Sequence, residues 1–163
     1  MSLFPTAGAK LYIGRAKAQK SADFTEADFS SETWTEIADL ENLGSLGDTS
    51  QPITVAHIGY PRERTLKGVR SAGTMEVICS VNNEDAGQIA ALAAEKTKHD
   101  YAFRLVLTDA PETGSAPAPS ERMWIAKVMS VSEAYDEANN VPKLNLSLAV
   151  NSNVVKIAAT TGD

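Results

Sequence analysis

Four cations crowd the stretch YPRERTLKGVR: Arg62, Arg64, Lys67 and Arg70. Such spacing could hold phosphates, since each Lys or Arg that neutralises one releases counterions. It could equally meet carboxylates on another protein surface. Aromatic residues, which would stack bases, do not interleave these cations. The whole chain carries 15 Lys and Arg against 21 Asp and Glu, a formal net charge of −6, which argues against a general nucleic-acid binder. No Lys or Arg occurs between Lys20 and Arg62, whereas Asp23, Glu26, Asp28, Glu32, Glu36, Asp39, Glu41 and Asp48 all fall in that interval. An acidic block thus precedes a basic one. The two are either solvated loop faces or surfaces of opposite sign that meet, within one chain or between copies.

Catalytic chemistry finds no constellation to use. His57 and His99 are not followed at i+3 or i+4 by a metal-type ligand, and neither lies in a nucleophile motif. The acidic neighbours Glu84 with Asp85 and Asp136 with Glu137 fall at a helix start and a turn, where capping and solvation account for them. Gly44 and Gly47 lack the Lys-Ser/Thr that completes a phosphate loop. Cys79 is the lone cysteine, so no disulfide within the chain and no cysteine-rich zinc site can form. Its apolar, alternating surroundings predict a buried, inert thiol. The sequence therefore reads as a non-enzyme without cofactor or metal.

Positioning these residues falls mostly to strands. LYIGRAKA from Leu11 and the run Thr33 to Ile37 read as short strands, and Thr74 to Val81 alternates Met75, Val77, Cys79 and Val81 against Glu76, Ile78 and Ser80. LENLGSLGDTSQ followed by Pro52 reads as the start of a long loop, placed at 41–73. One helix is predicted at 83–97: Asn82 or Asn83 can cap it, Asp85 suits its first turn, and Lys96 and Lys98 suit its end. YAFRLVLTD alternates cleanly, MWIAKVMSVSEAY has the length of two strands or of one with a bulge, and LNLSLAV alternates again, with NVVKIAA as a possible continuation. PETGSAPAPSER marks a surface loop at 110–121. With 163 residues the chain fits one domain: mainly β, an antiparallel sandwich or partly closed barrel with one helix. No apolar run of about 18 residues is present to span a bilayer, and the N-terminus lacks signal-peptide features, so a soluble chain made in the cytosol is expected.

The order TWTEIADLENLGSLGD, a Pro- and Thr-containing loop, then RERTLKGVRSAGTMEVICSVNNEDAGQIAAL resembles the major tail tube proteins of bacteriophages with long, non-contractile tails. The matching positions are Ile37 and Leu40, Lys67 and Gly68, Gly73 to Val77, and the helix-opening Asp85, Gly87 and Gln88; the C-terminal strands match only by pattern.

This resemblance implies a structural virion protein that self-assembles into hexameric rings, which stack into a hollow tail tube. It implies a tape-measure protein in the lumen, tail terminator and distal tail proteins as further partners, transient passage of DNA without specific binding, no membrane, and a place in the virion tail after synthesis in the host cytoplasm. Open sheet edges would serve ring closure, and an acidic wall would repel phosphates. LNLSLAV, with Asn145 and Ser147 opposite Leu144, Leu146 and Leu148, fits a strand between core and lumen. The long loop 41–73 would lie between subunits, with Arg62, Arg64, Lys67 and Arg70 meeting Glu36, Asp39, Glu41 and Asp48 of a neighbour. Residues 1–9 would be a flexible arm that orders on a neighbouring ring, and no C-terminal immunoglobulin-like domain is expected. Two alternatives stay open: another tail-derived assembly protein, such as a terminator or a secretion-system tube, and a nucleic-acid module using residues 62–70.

Overall fold

Alternation of apolar and polar residues builds nearly all of the structure. A computed structural model describes residues 3–163. Its strands are β1 (Lys10–Ala16), β2 (Thr35–Ile37), β3 (Leu40–Asn42), β4 (Thr49–Val55), β5 (Arg64–Ser71), β6 (Thr74–Ser80), β7 (Tyr101–Val106), β8 (Glu121–Ala134), β9 (Lys143–Val150) and β10 (Val155–Ile157), with one helix, α1 (Ala86–Glu95). All pairings are antiparallel. The main sheet runs β2-β1-β7-β8-β9-β6-β3, and β10 continues beside β8 past the end of β9. MWIAKVMSVSEAY proves to be one strand, with its irregularity between Val128 and Ser130.

The first and last strands of this path, β2 and β3, are consecutive in sequence. Only Ala38 and Asp39 separate them, and so short a link spans roughly 10 Å at most. The sheet must therefore curl until its two ends meet. It does not close by hydrogen bonds between β2 and β3, so the architecture is a curled antiparallel sheet and not a closed barrel. Inside the curl lie Leu11, Ile13, Ile37, Met75, Val77, Phe103, Trp124, Leu144, Leu146 and Leu148, all essentially without solvent exposure. Cys79 is buried among them, and burial, reinforced by the nearby Asp85 carboxylate, pushes its thiol up to about 11, as expected of an inert side chain.

Helix α1 seals the open seam. Its N-cap is Asp85, not Asn82 or Asn83, and the helix is shorter than the predicted 83–97. The Asp85 carboxylate accepts from the Gln88 amide (3.0 Å) and also from the Ala38 amide (3.1 Å), tying the helix start to the β2–β3 link. Gln88, buried, donates from Nε2 to the Ser80 carbonyl (2.8 Å) and accepts at Oε1 from the Asn82 amide (2.9 Å). Gly87 packs so close to β2 that a methyl group there would lie 2.0 Å from the Glu36 carbonyl oxygen. Asp-x-Gly-Gln is thus a sealing motif: one cap, one close approach and one amide that satisfies backbone the curl leaves unpaired.

Outside the curl, the two halves of the sheet differ. Residues 17–34 fold over the outer face of β1, β7 and the start of β8, where Phe24 and Phe29 pack on Ala102, Met123 and Ile125 in a second small core. Asn153 pins this cover by exchanging two hydrogen bonds with the Phe24 backbone (2.7 and 3.0 Å). The outer face of β6, β9 and the second half of β8 has no such cover.

Three expectations change. The segment 41–73 is not a loop: it holds the end of β3 and the β4–β5 hairpin, a ribbon of its own. Pro52 misled the reading because a two-stranded ribbon tolerates a missing donor, here beside an irregularity between Ser50 and Pro52. The loop before β8 ends at Ser120 and is held at both sides. Asp109 accepts from the Ser120 amide and hydroxyl (2.8 and 2.6 Å), and Ala118 pairs with Thr160. Of the predicted arm 1–9, Met1 and Ser2 lie outside the described residues; Pro5 accepts a hydrogen bond from Thr108 (2.7 Å), and Leu3 is exposed.

Candidate assembly surface

Strands β3 and β6 pair within the sheet, and the same two chain segments, extended as β4 and β5, pair again beyond it. Together they form one long hairpin whose root is built into the sheet and whose outer half stands alone. Gly73, with φ of 66°, is the joint where the chain turns back into β6; an L side chain there would be strained.

This outer half is apolar where a solvated arm would be polar. Ile53 and Leu66 face each other across the ribbon and are 50% and 59% exposed; Val69 is 76% exposed, and Ile58 at the tip is fully so. Gly68 leaves room for the Ile53 side chain, since a methyl group there would sit 3.3 Å from it. A two-stranded ribbon has little stability by itself. Exposed large apolar groups on it make it a candidate interaction surface.

The cations of residues 62–70 all belong to this hairpin, but they are not equivalent. Arg70 donates to Asp48 at the hairpin root (2.6 Å), an ion pair within one chain. The sequence set both against a neighbour's charges; within one chain each already has a partner. Arg64 lies over the Tyr60 ring, 4.8 Å from its centroid, and His57 meets the same ring edge-on. Lys67 stands opposite Pro52 on the other face of the ribbon from Leu66. Among the described residues, Arg62, Arg64 and Lys67 have no carboxylate within 4.0 Å.

The remaining acids named from the sequence lie elsewhere. Glu36 is exposed on β2. Asp39, with φ of 60°, accepts from the Asn82 side chain (3.0 Å), and Glu41 accepts from Ser80 (2.8 Å) and pairs with Lys143 (3.0 Å). The Ser80 hydrogen bond, then Lys143, holds the Glu41 carboxyl below the usual range. Ser80 and Lys143 stand at the end of the sheet opposite the hairpin root, so Asp39 and Glu41 do not join the basic segment in one chain.

Two further surfaces complete the picture. A groove of about 630 Å³ opens at the hairpin root, floored by Leu43, Leu46, Met75 and Leu105 and rimmed by Arg122 and Lys156. The uncovered sheet face carries two cross-strand rows, Glu76, Ser147 and Ser130, then Ile78, Asn145 and Ser132, polar throughout except for Ile78. Ser147 donates to Glu76 (3.0 Å). The sequence reading found Asn145 and Ser147 but missed the apolar hairpin. Its signal was Ile53, Ile58, Leu66 and Val69 scattered among polar neighbours, a pattern that elsewhere means core.

No family model and no curated protein matches this sequence. Solved structures do. A chain of the six-fold symmetrised baseplate of the anti-feeding prophage superposes with a TM-score of 0.67 at 13% identity, over 97% of this chain and 98% of that one. The sheath/tube terminator of an extracellular contractile injection system, PVC, in its extended state gives 0.66 at 10% identity over 97% and 99%. The SPP1 tail tube gives 0.61 at 18% identity over 94% and 80%. At these identities the likeness concerns architecture: the chain has the mainly β, antiparallel, one-helix fold of tail-tube and tube-terminator components.

Proposed function

We propose that this protein is a tail-tube subunit of a long, non-contractile phage tail, self-assembling into stacked hexameric rings whose channel conducts DNA. The observation that carries the reading is the β4–β5 hairpin, an apolar ribbon with three unpaired cations attached to a body that is otherwise fully folded. Such a ribbon is covered only in an assembly. The shared fold supports the same reading, because it spans nearly the whole chain and includes the SPP1 tail tube and a six-fold symmetrised baseplate. The uncovered, mostly polar face suits a channel wall, where Glu76 would repel phosphates and the serines offer few strong contacts. On this reading the tape-measure protein fills the channel before DNA, terminator and distal tail proteins close its ends, and the virion tail is its place.

A terminator role is the second reading, favoured by the terminator's match over 99% of its own length. A nucleic-acid module is less well supported, because Arg70 is neutralised by Asp48 and Arg64 is stacked on Tyr60. Negative-stain electron microscopy of the purified protein at rising concentration separates the first two. Tubes of stacked rings are expected. Single capped rings would instead favour the terminator, and monomers at every concentration would defeat both.

A further inference from the structure

The ends of the sheet are opposite in character. At the start of β6 the hairpin leaves with Ile53 and Leu66 exposed and with Arg62, Arg64 and Lys67 against one carboxylate, Glu63. At the far end of β6, roughly 20 Å away at about 3.3 Å per strand residue, the β8–β9 turn exposes Tyr135 and Val141 beside Asp136 and Glu137. The chain entering α1 adds Glu84 there, since the Val81 amide bonds the Pro142 carbonyl (3.0 Å). Among the described residues, Glu84, Asp136 and Glu137 have no cation within 4.0 Å, and the turn's own Lys143 is engaged by Glu41. The sequence alone accounted for these acids by capping and solvation. Yet Asp85, not Glu84, supplies the cap, and the acids adjoin two exposed apolar side chains.

We infer that the β4–β5 hairpin of one copy docks on the β8–β9 turn of a second copy, with Arg62, Arg64 and Lys67 facing Glu84, Asp136 and Glu137 and the two apolar pairs in contact between them. This rests on the tube reading and names the surface that receives the hairpin. Complementary charge decides the occupant: both partners are present on every chain, at opposite ends, unpaired and of opposite sign. A contact between unlike patches at opposite ends of the subunit is head-to-tail, and where its rotation does not close a ring it propagates copy after copy, which is the geometry of a stack. It also takes the basic segment away from Asp48 and Glu41, which are already paired within the chain.

A charge exchange tests it. Glu84→Lys with Glu137→Lys, and separately Arg64→Glu with Lys67→Glu, should each raise the concentration needed for tubes roughly tenfold or more, read by sedimentation and micrographs, with the melting temperature nearly unchanged. All four changes in one chain should restore tubes. Asp136 is left alone because its φ of 51° suits Asp and would strain Lys. If the first pair unfolds the chain, Glu137→Lys with Val141→Ser serves in its place. Normal tubes from either single pair, or no restoration in the fourfold variant, would overturn this seat while leaving the tube reading intact. No tubes from the unmodified chain would overturn both.

Discussion

Two segments of this chain solve the same problem in opposite ways. Where β2 and β3 meet, an open sheet edge is closed from within: Asp85, Gly87 and Gln88 bring a helix against it and pair its backbone groups. In the β4–β5 hairpin nothing is closed, and Ile53, Leu66 and Val69 stay in water. The first arrangement stabilises the subunit. The second buries little within the subunit, and on the proposed reading a neighbour covers it. On that reading stability and assembly fall to different residues, and substitutions should separate them.

The largest effect is expected at Gly87. Gly87→Ala forces a methyl group to 2.0 Å from a backbone oxygen that cannot yield without moving β2, so the seam should open. A loss of about 3 kcal/mol or more is expected in denaturant unfolding, at the upper end for overpacking. Gln88→Leu keeps the volume but strips partners from the Ser80 carbonyl and the Asn82 amide. Its cost should be about 2–4 kcal/mol, the sum of two part-buried groups left unpaired. A melting curve shifted by only a degree or two would show that the seam is less sealed than its hydrogen bonds imply. The smallest effect on the subunit belongs to Ile53→Ser with Leu66→Ser, within about 0.5 kcal/mol as for other exposed positions. Yet the same pair should abolish tubes. Substantial destabilisation of the free subunit would mean that the hairpin packs on its own body.

Much of the sheet was legible because its strands alternate: β6 and β9 show their more and less buried faces residue by residue, while β7 alternates in sequence but is covered on both faces. The curl was not, since nothing local in TEIADLEN reveals that strands on either side of Ala38 and Asp39 belong to opposite ends of one sheet. Asp85 was recognised as favourable to a helix start but not as its cap, because its second partner, the Ala38 amide, is distant in sequence. Pro52 hid the hairpin, as a residue that disfavours a central strand does no harm in an isolated ribbon. Of the proposed site, the basic residues were visible in the sequence. That Arg70 spends its charge on Asp48 required the fold, and so did the placing of Asp39 and Glu41 at the other end of the molecule.

Amide hydrogen exchange on free and assembled protein tests the division between folding and assembly most directly. In the free subunit, amides of residues 49–71 should exchange orders of magnitude faster than those of β6–β9, because an isolated ribbon opens at little cost. In tubes the same amides should become protected, while the seam at 36–40 and 85–88 changes little. Hairpin amides already protected in the free subunit, or still fast in tubes, would contradict the account.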